Sequence, residues 1–137
     1  MAKKVRIRRT FSVTSELLTK SRESALAAVQ IFNSPLITFR SEIFIVLMGI
    51  AWTYLLHAFY RKQGIEYRYF QQKDKRRVFD KTKSGAYKHW ELERCLHETM
   101  SPIDRDAANN LRFLLGIRHE IEHQMTSRLD NTLSAKF

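Results

Sequence analysis

The sequence predicts an all-α fold, a four-helix bundle with a basic loop or hairpin inserted between its second and third helices. Three observations carry that expectation. Only four Gly and two Pro occur in 137 residues, too few for a turn-rich β sandwich. Apolar residues make up 44% of the chain and recur mostly at helical spacing. The positive excess is confined to two stretches, which leaves the remainder patterned like packed helices. The length fits a single domain over residues 1–137, with a basic N-terminal arm over residues 1–13.

The arm carries five positive charges and no negative ones in residues 1–9, and no long apolar run follows it as in a secretion signal. A first helix is expected from Thr14 or Ser15, with Leu17, Leu18, Ala25, Ala28, Val29 and Phe32 on its apolar side. It should stop at Asn33-Ser34-Pro35, because a proline pushes the residue before it out of the helical region. Leu36 to Arg40 reads as a short extended link, and Ser41 as the next cap.

Ile43 to Tyr60 is a run of eighteen residues without a formal charge, long enough to span a membrane. Gly49, Thr53 and His57, however, follow one another at i, i+4 and i+8, with Glu42 two turns before Gly49 on the same side. Such a small and polar stripe suits the central helix of a bundle, where it permits close packing and a polar contact. No membrane partner is expected.

Residues 61–88 carry ten basic and three acidic residues, a local +7. Tyr67, Tyr69 and Phe70 precede the basic run, Val78 and Phe79 follow it, and Ser84-Gly85 makes a turn. Lys73, Lys75, Arg76 and Arg77 interleaved with rings are the residue types single-stranded nucleic acid needs, cations for phosphates and rings for bases. A solvated hairpin whose rings pack on the bundle would read the same way. A third helix should run from His89 or Trp90 to Met100, and Ser101-Pro102 should restart the chain into the last helix, with Asp104 and Asp106 at its positive end.

Charge also bounds function. The formal net charge is +10, yet residues 91–137 are mildly acidic, so the excess lies in the arm and the insertion. Two concentrated basic patches suit a polyanionic partner. The single Cys95 excludes a disulfide framework and fits a reducing, cytoplasmic setting.

The chemistry-bearing stretch is Gly116 to Gln124, where two motifs overlap. His119-Glu120-x-x-His123 has the spacing of a zinc metalloprotease helix. Its context is poor: Glu122 is charged where an uncharged residue is usual, and Asp130 is the sole carboxylate in the fourteen residues after His123. The second motif is Arg118 followed at the fifth position by His123, with His119 directly after the Arg. On a helical wheel Arg118 falls within the stripe of Ala107, Leu111, Leu114, Ile121, Met125 and Leu129. A guanidinium there needs a partner, and Glu122 or Glu42 can supply it. One outcome is a buried Arg–Glu pair that fixes helix register. The other is an Arg and one or two His poised at a groove for a phosphodiester, with the guanidinium on phosphate oxygens and imidazole moving protons.

The run Arg118-His119-x-x-x-His123, late in a small helical bundle, resembles the motif of the HEPN superfamily, and FRSEIFIVLMGIAW and LLGIRHEIEHQM resemble an uncharacterised bacterial subgroup of it. The resemblance covers about Ser24 to Leu133. It implies a HEPN-like bundle that acts as a metal-independent, homodimeric or higher-order endoribonuclease, with no cofactor. Arg118, His123 and His119 would be catalytic, Glu122 and Glu42 supporting, and Lys73, Lys75, Arg76 and Arg77 RNA-binding. It also implies a toxin or phage-defence effector with an antitoxin or sensor partner. Some members of the superfamily only bind RNA or assemble, which is the alternative expectation.

Overall fold

The computed structural model describes the backbone of residues 3–136 and the side chains of residues 13–123. Among these residues the chain is mostly helical, with four helices and one small antiparallel sheet: α1 (Lys3–Phe32), α2 (Arg40–Lys62), β1 (Phe70–Lys73), β2 (Arg76–Phe79), α3 (Leu92–His97) and α4 (Arg105–Lys136).

α1 begins well before Ser15, so the helix runs through most of the stretch expected to be an arm. No helix-breaking residue stands between Lys3 and Ser15, and the propensity of Lys and Arg favours continuing the helix. It stops at Phe32 as Pro35 requires. The link that follows is a series of turns rather than extended chain, clasped by Arg40 Nη1 donating to the Ser34 carbonyl at 3.1 Å. α2 starts at Arg40 with Phe39 at the capping position, which places Ser41 inside the first turn and leaves it no capping role.

α2 is the hub. α1 packs along it through small residues: the buried Ser21 hydroxyl donates to the Ala51 carbonyl at 2.7 Å, and Ala28 is fully buried. Further down, Phe32 and Phe44 meet ring to ring at 5.1 Å. α3 and α4 pack on α2 as well, whereas α1 and α4 make no contact with each other among the described residues. Among the described residues, then, α2 alone contacts all three other helices. Among the described residues α2 is also the one helix long and apolar enough to cross a membrane, with a mean hydropathy of 1.8 in its most apolar stretch. Its C-terminal half is instead occupied by protein, burying Ala51, Leu56, His57, Ala58 and Tyr60.

The core sits at that end. Leu56 and Tyr60 of α2 meet Tyr67, Trp90, Leu92, Cys95 and Leu96, then Ala108 and Leu111 of α4. α2 ends in a Schellman turn: Ile65 N–H donates to the Tyr60 carbonyl at 2.8 Å and Gly64 N–H to the Arg61 carbonyl at 3.2 Å. Gly64 takes φ 74, which an L side chain resists. The turn directs the chain into the insertion, whose root packs on the core through Ile65, Tyr67, Tyr69 and Trp90, while β1 and β2 pair only with each other among the described residues.

β1 and β2 pair in register from Phe70 opposite Phe79 to Lys73 opposite Arg76. A third extended segment returns after Ser84-Gly85 and joins them: Tyr69 N–H donates to the Lys88 carbonyl at 2.9 Å and Trp90 N–H to the Tyr67 carbonyl at 2.8 Å. His89 and Trp90 therefore belong to this β-like layer. α3 is shorter than expected because the pairing uses their backbone. α4 begins at Arg105, where the Asp104 carboxylate accepts the Ala107 N–H at 2.7 Å as an N-cap.

Candidate functional site

Arg118 Nε donates to Glu122 Oε1 at 3.1 Å, the i, i+4 pair that helical spacing dictates. The two side chains are 35% and 58% exposed, so the pair is not the buried register lock that the wheel allows. α4 buries Ala108 and Leu111, and the stripe becomes exposed from Leu114 towards Arg118. A pair this wet contributes at most about 1 kcal/mol. The guanidinium also reaches over α2, where a Cβ placed on Gly49 would lie 3.7 Å from Arg118 Nη1. The small stripe of Gly49 and Thr53 is thus the seat of the Arg118 side chain. Glu42 lies seven residues before Gly49 and forms no ion pair with a described cation.

Arg118 divides two clefts of opposite character. One, of about 360 Å³, is lined by His119, Glu122, Glu91 and Glu93 together with Thr53 and Leu92. The Glu91 carboxylate accepts the Tyr69 hydroxyl at 2.7 Å. The other, of about 450 Å³, has Arg118 beside Tyr54, His57, Tyr67, His89 and Trp90, with no carboxylate in its wall. Arg118 thus stands between a wall lined with carboxylates and one that carries none. A third, almost wholly apolar groove of about 260 Å³ runs between α2 and α4 from Phe44 and Met48 to Leu114 and Arg118.

His57 anchors the floor of the carboxylate-free cleft. It is 7% exposed, its Nε2 donates to the Trp90 carbonyl at 2.6 Å, and its ring stacks on Tyr67 with centroids 4.7 Å apart. Burial holds its pKa below the ordinary value, so the ring is neutral at pH 7. His89 stands at the rim, 5.4 Å from the Tyr67 ring and 6.0 Å from His57, and is lowered in the same direction by burial and then by Arg68. Cys95, in the core behind, is pushed up to about 12 by burial and is inert as a nucleophile.

The basic residues of the hairpin divide in the same way. Lys73, Lys75 and Arg76 are exposed towards its tip. Arg77 turns back over the Phe70 ring at 4.8 Å and lines a cleft of about 520 Å³ at the hairpin's root, with Arg61, Arg68, Tyr87 and His89. Arg68 is held in place: Glu66 accepts its Nε at 2.8 Å and its Nη2 at 3.0 Å, while Phe79 and Tyr87 lie against it at 4.0 and 4.8 Å. The pairing lowers the Glu66 pKa and raises that of Arg68, so the two act as a neutral unit. This root cleft and the carboxylate-free cleft at Arg118 share Tyr67 and His89 as a common wall.

Of the residues expected to act together, Arg118, His119 and Glu122 line one cleft, and Arg77 is linked to Arg118 through the shared wall. His123 is exposed one turn beyond His119 and lines neither cleft. Met125 and Leu129 of the expected stripe lie outside the described side chains. Among the described residues no three His, Cys, Asp or Glu side chains converge as metal ligands would. Sequence reasoning missed His89 and Arg61 as site residues, and took His57 for a polar packing contact and Tyr67 for one ring beside the basic run. The alternation Tyr87-Lys88-His89-Trp90 was the available signal, since period two puts Tyr87 and His89 on one face.

Fold and site together define a small, mostly helical protein with an Arg-, His- and Tyr-lined groove on its basic side. The chain belongs to the family described as a domain of unknown function (DUF3644), whose model matches residues 16–137. No curated protein and no solved structure matches the chain.

Proposed function

We propose that this protein is a HEPN-like, metal-independent endoribonuclease, acting in the cytoplasm as a toxin or phage-defence effector. The observation that carries the reading is the setting of Arg118. Its guanidinium faces a carboxylate-free cleft on one side, and His119 and His123 follow it on the same helix. In-line attack by a ribose 2′-OH forms the new 2′-O–P bond and breaks the P–O5′ bond, leaving a 2′,3′-cyclic phosphate. His123 takes the proton from the 2′-OH, and its mate from a second protomer returns one to the departing 5′ oxygen. Arg118 stabilises the charge that develops on the phosphate oxygens. His119 and Glu122 orient the two groups.

The composite site at a dimer interface has its own support. Phe113 on α4 is 70% exposed, Leu114 is partly exposed beside it, and the apolar groove between α2 and α4 stands open. A second copy covering this face would bring its His123 towards the first copy's Arg118. The exposed position of His123 in the single chain is what such a shared site requires.

Cleavage of a single-stranded RNA panel, with and without EDTA, tests the proposal. Cutting should survive EDTA and fall by about 10²–10⁴-fold in Arg118→Ala and in His123→Ala. DNA of the same sequence, which lacks the 2′-OH, should stay intact. A second reading, a non-catalytic RNA-binding or assembly domain, is favoured by the Glu91 and Glu93 carboxylates near Arg118. It prevails if RNA remains whole across the panel while tight binding persists. Loss of cutting in EDTA, with stoichiometric zinc in the purified protein, would favour His119-Glu120-x-x-His123 as a metal site.

A further inference from the structure

We infer that the groove running from Arg118, past Tyr67 and His89, to Arg61 and Arg77 is the binding track for a single-stranded RNA segment, with its phosphates at Arg61 and Arg77. The identity of the ligand as RNA rests on the ribonuclease reading; the anion-binding groove does not.

The two clefts adjoin at Tyr67 and His89, which line both, so a strand leaving one passes these rings to enter the other. The cations differ in availability. Arg68 is occupied by both oxygens of Glu66 and clasped between Phe79 and Tyr87, so it builds the groove rather than binding in it. Arg61 and Arg77 are exposed, and neither lies within ion-pair distance of a described carboxylate. Among the described residues the one carboxylate of the root cleft, Glu66, forms its ion pair with Arg68 and feels Arg77 only at longer range, so Arg61 and Arg77 carry the cleft's excess charge.

Rings stand where bases would lie. Tyr87 is 44% exposed in the wall of the root cleft, and His89 is exposed where the two clefts meet. Flat, exposed rings beside fixed cations are the arrangement by which proteins hold single strands without reading their sequence. A duplex, with its bases stacked inward, could not use the rings. This moves the working part of the basic patch from the hairpin's tip, where Lys73, Lys75 and Arg76 point into solvent, to its root.

Fluorescence anisotropy with a labelled single-stranded RNA octamer tests the inference, using the full chain carrying His123→Ala, a residue outside both clefts, so that cutting is suppressed. Adding Arg61→Gln and Arg77→Gln together should weaken binding at least tenfold. The dependence of log K on log salt should flatten by about 1.4, the share of two phosphate contacts on a single strand. Tyr87→Ala should weaken binding of the octamer while leaving that of inorganic phosphate unchanged. Lys73→Gln with Lys75→Gln, an equal loss of charge at the tip, should change affinity less than threefold. Circular dichroism of each variant checks that the fold is kept. An unchanged affinity and salt slope in the Arg61/Arg77 pair overturns the track, as does an equal loss from the tip pair. An RNA left uncut by the wild type, but bound through Arg61 and Arg77, sinks the nuclease and keeps the groove.

Discussion

His57 joins the core to the groove, and replacing it with Phe separates its two roles. The Phe ring keeps the stack on Tyr67, whose centroid lies 4.7 Å away, but removes the donor to the Trp90 carbonyl at 2.6 Å. That carbonyl retains only a weak contact from the Cys95 thiol at 3.9 Å. A lost hydrogen bond together with a buried acceptor left unsatisfied costs about 2 kcal/mol. With a denaturant slope of about 2 kcal/mol/M, the urea midpoint at pH 7.5 should fall by about 1 M. Fluorescence of the two tryptophans, Trp52 and Trp90, follows the transition.

The same variant carries a pH signature. Burial lowers the His57 pKa in the folded protein, while in the unfolded chain it titrates near 6.5. Above that value both states are neutral and pH has no effect through this group. As pH falls below it the unfolded chain takes up a proton that the folded ring refuses. The unfolded state then binds more protons, so wild-type stability falls towards acid, with a limiting slope of about 1.4 kcal/mol per pH unit for one proton. His57→Phe has no such group, so its deficit against wild type should shrink between pH 7.5 and 5.5. His89, also lowered, leaves a residual slope in both proteins. Equal midpoints at pH 7.5 would mean that the bond to Trp90 carries no net stability, and parallel pH profiles that the folded ring takes up its proton as readily as the unfolded chain.

Two further perturbations probe the scaffold. Tyr60 is fully buried and its hydroxyl donates to the Cys95 carbonyl, so Tyr60→Phe should destabilise by about 1–3 kcal/mol without altering the circular dichroism of the folded state. An undiminished urea midpoint would show that this bond carries no net stability. Gly64→Ala and Gly116→Ala should have opposite signs, although neither new methyl group meets an atom within 4 Å. Gly64 holds φ 74, so its substitution should cost about 1 kcal/mol, whereas Gly116 lies within α4 and should gain roughly 0.5–1 kcal/mol from helix propensity. Thermal melts of the two variants decide it: both shifting in one direction would mean that backbone conformation is not what distinguishes these glycines.

Much of the frame was legible because its signals are local. Pro35 ended α1, the uncharged run before Arg61-Lys62 marked α2, and the basic stretch between α2 and α3 formed a hairpin. Helical spacing put Glu122 beside Arg118. Local signals also misled. Ser41 resembles a cap but lies inside α2, because Arg40 clasps Ser34 and starts the helix earlier. His89 and Trp90 read as the start of a helix, yet His89 lies in a β-bridge opposite Arg68 and Trp90 N–H donates to the Tyr67 carbonyl.

Spacing, propensity and composition were enough for the helical character, the order of the elements, the Arg118–Glu122 pair and the confinement of the positive charge. Each follows from signals within a few turns of chain. Only the tertiary structure decided which residues share a site. His57 and Trp90 are 33 residues apart and meet because the Schellman turn at Gly64 and the returning segment after Gly85 fold the insertion onto α2. That folding gathers Tyr67 and His89 beside Arg118, and draws Arg77 but not Lys75 into the groove. It also left the Arg118–Glu122 pair partly in water. Burial and through-space contact depend on which surfaces the turns bring together, and no window of sequence contains both sides of such a contact.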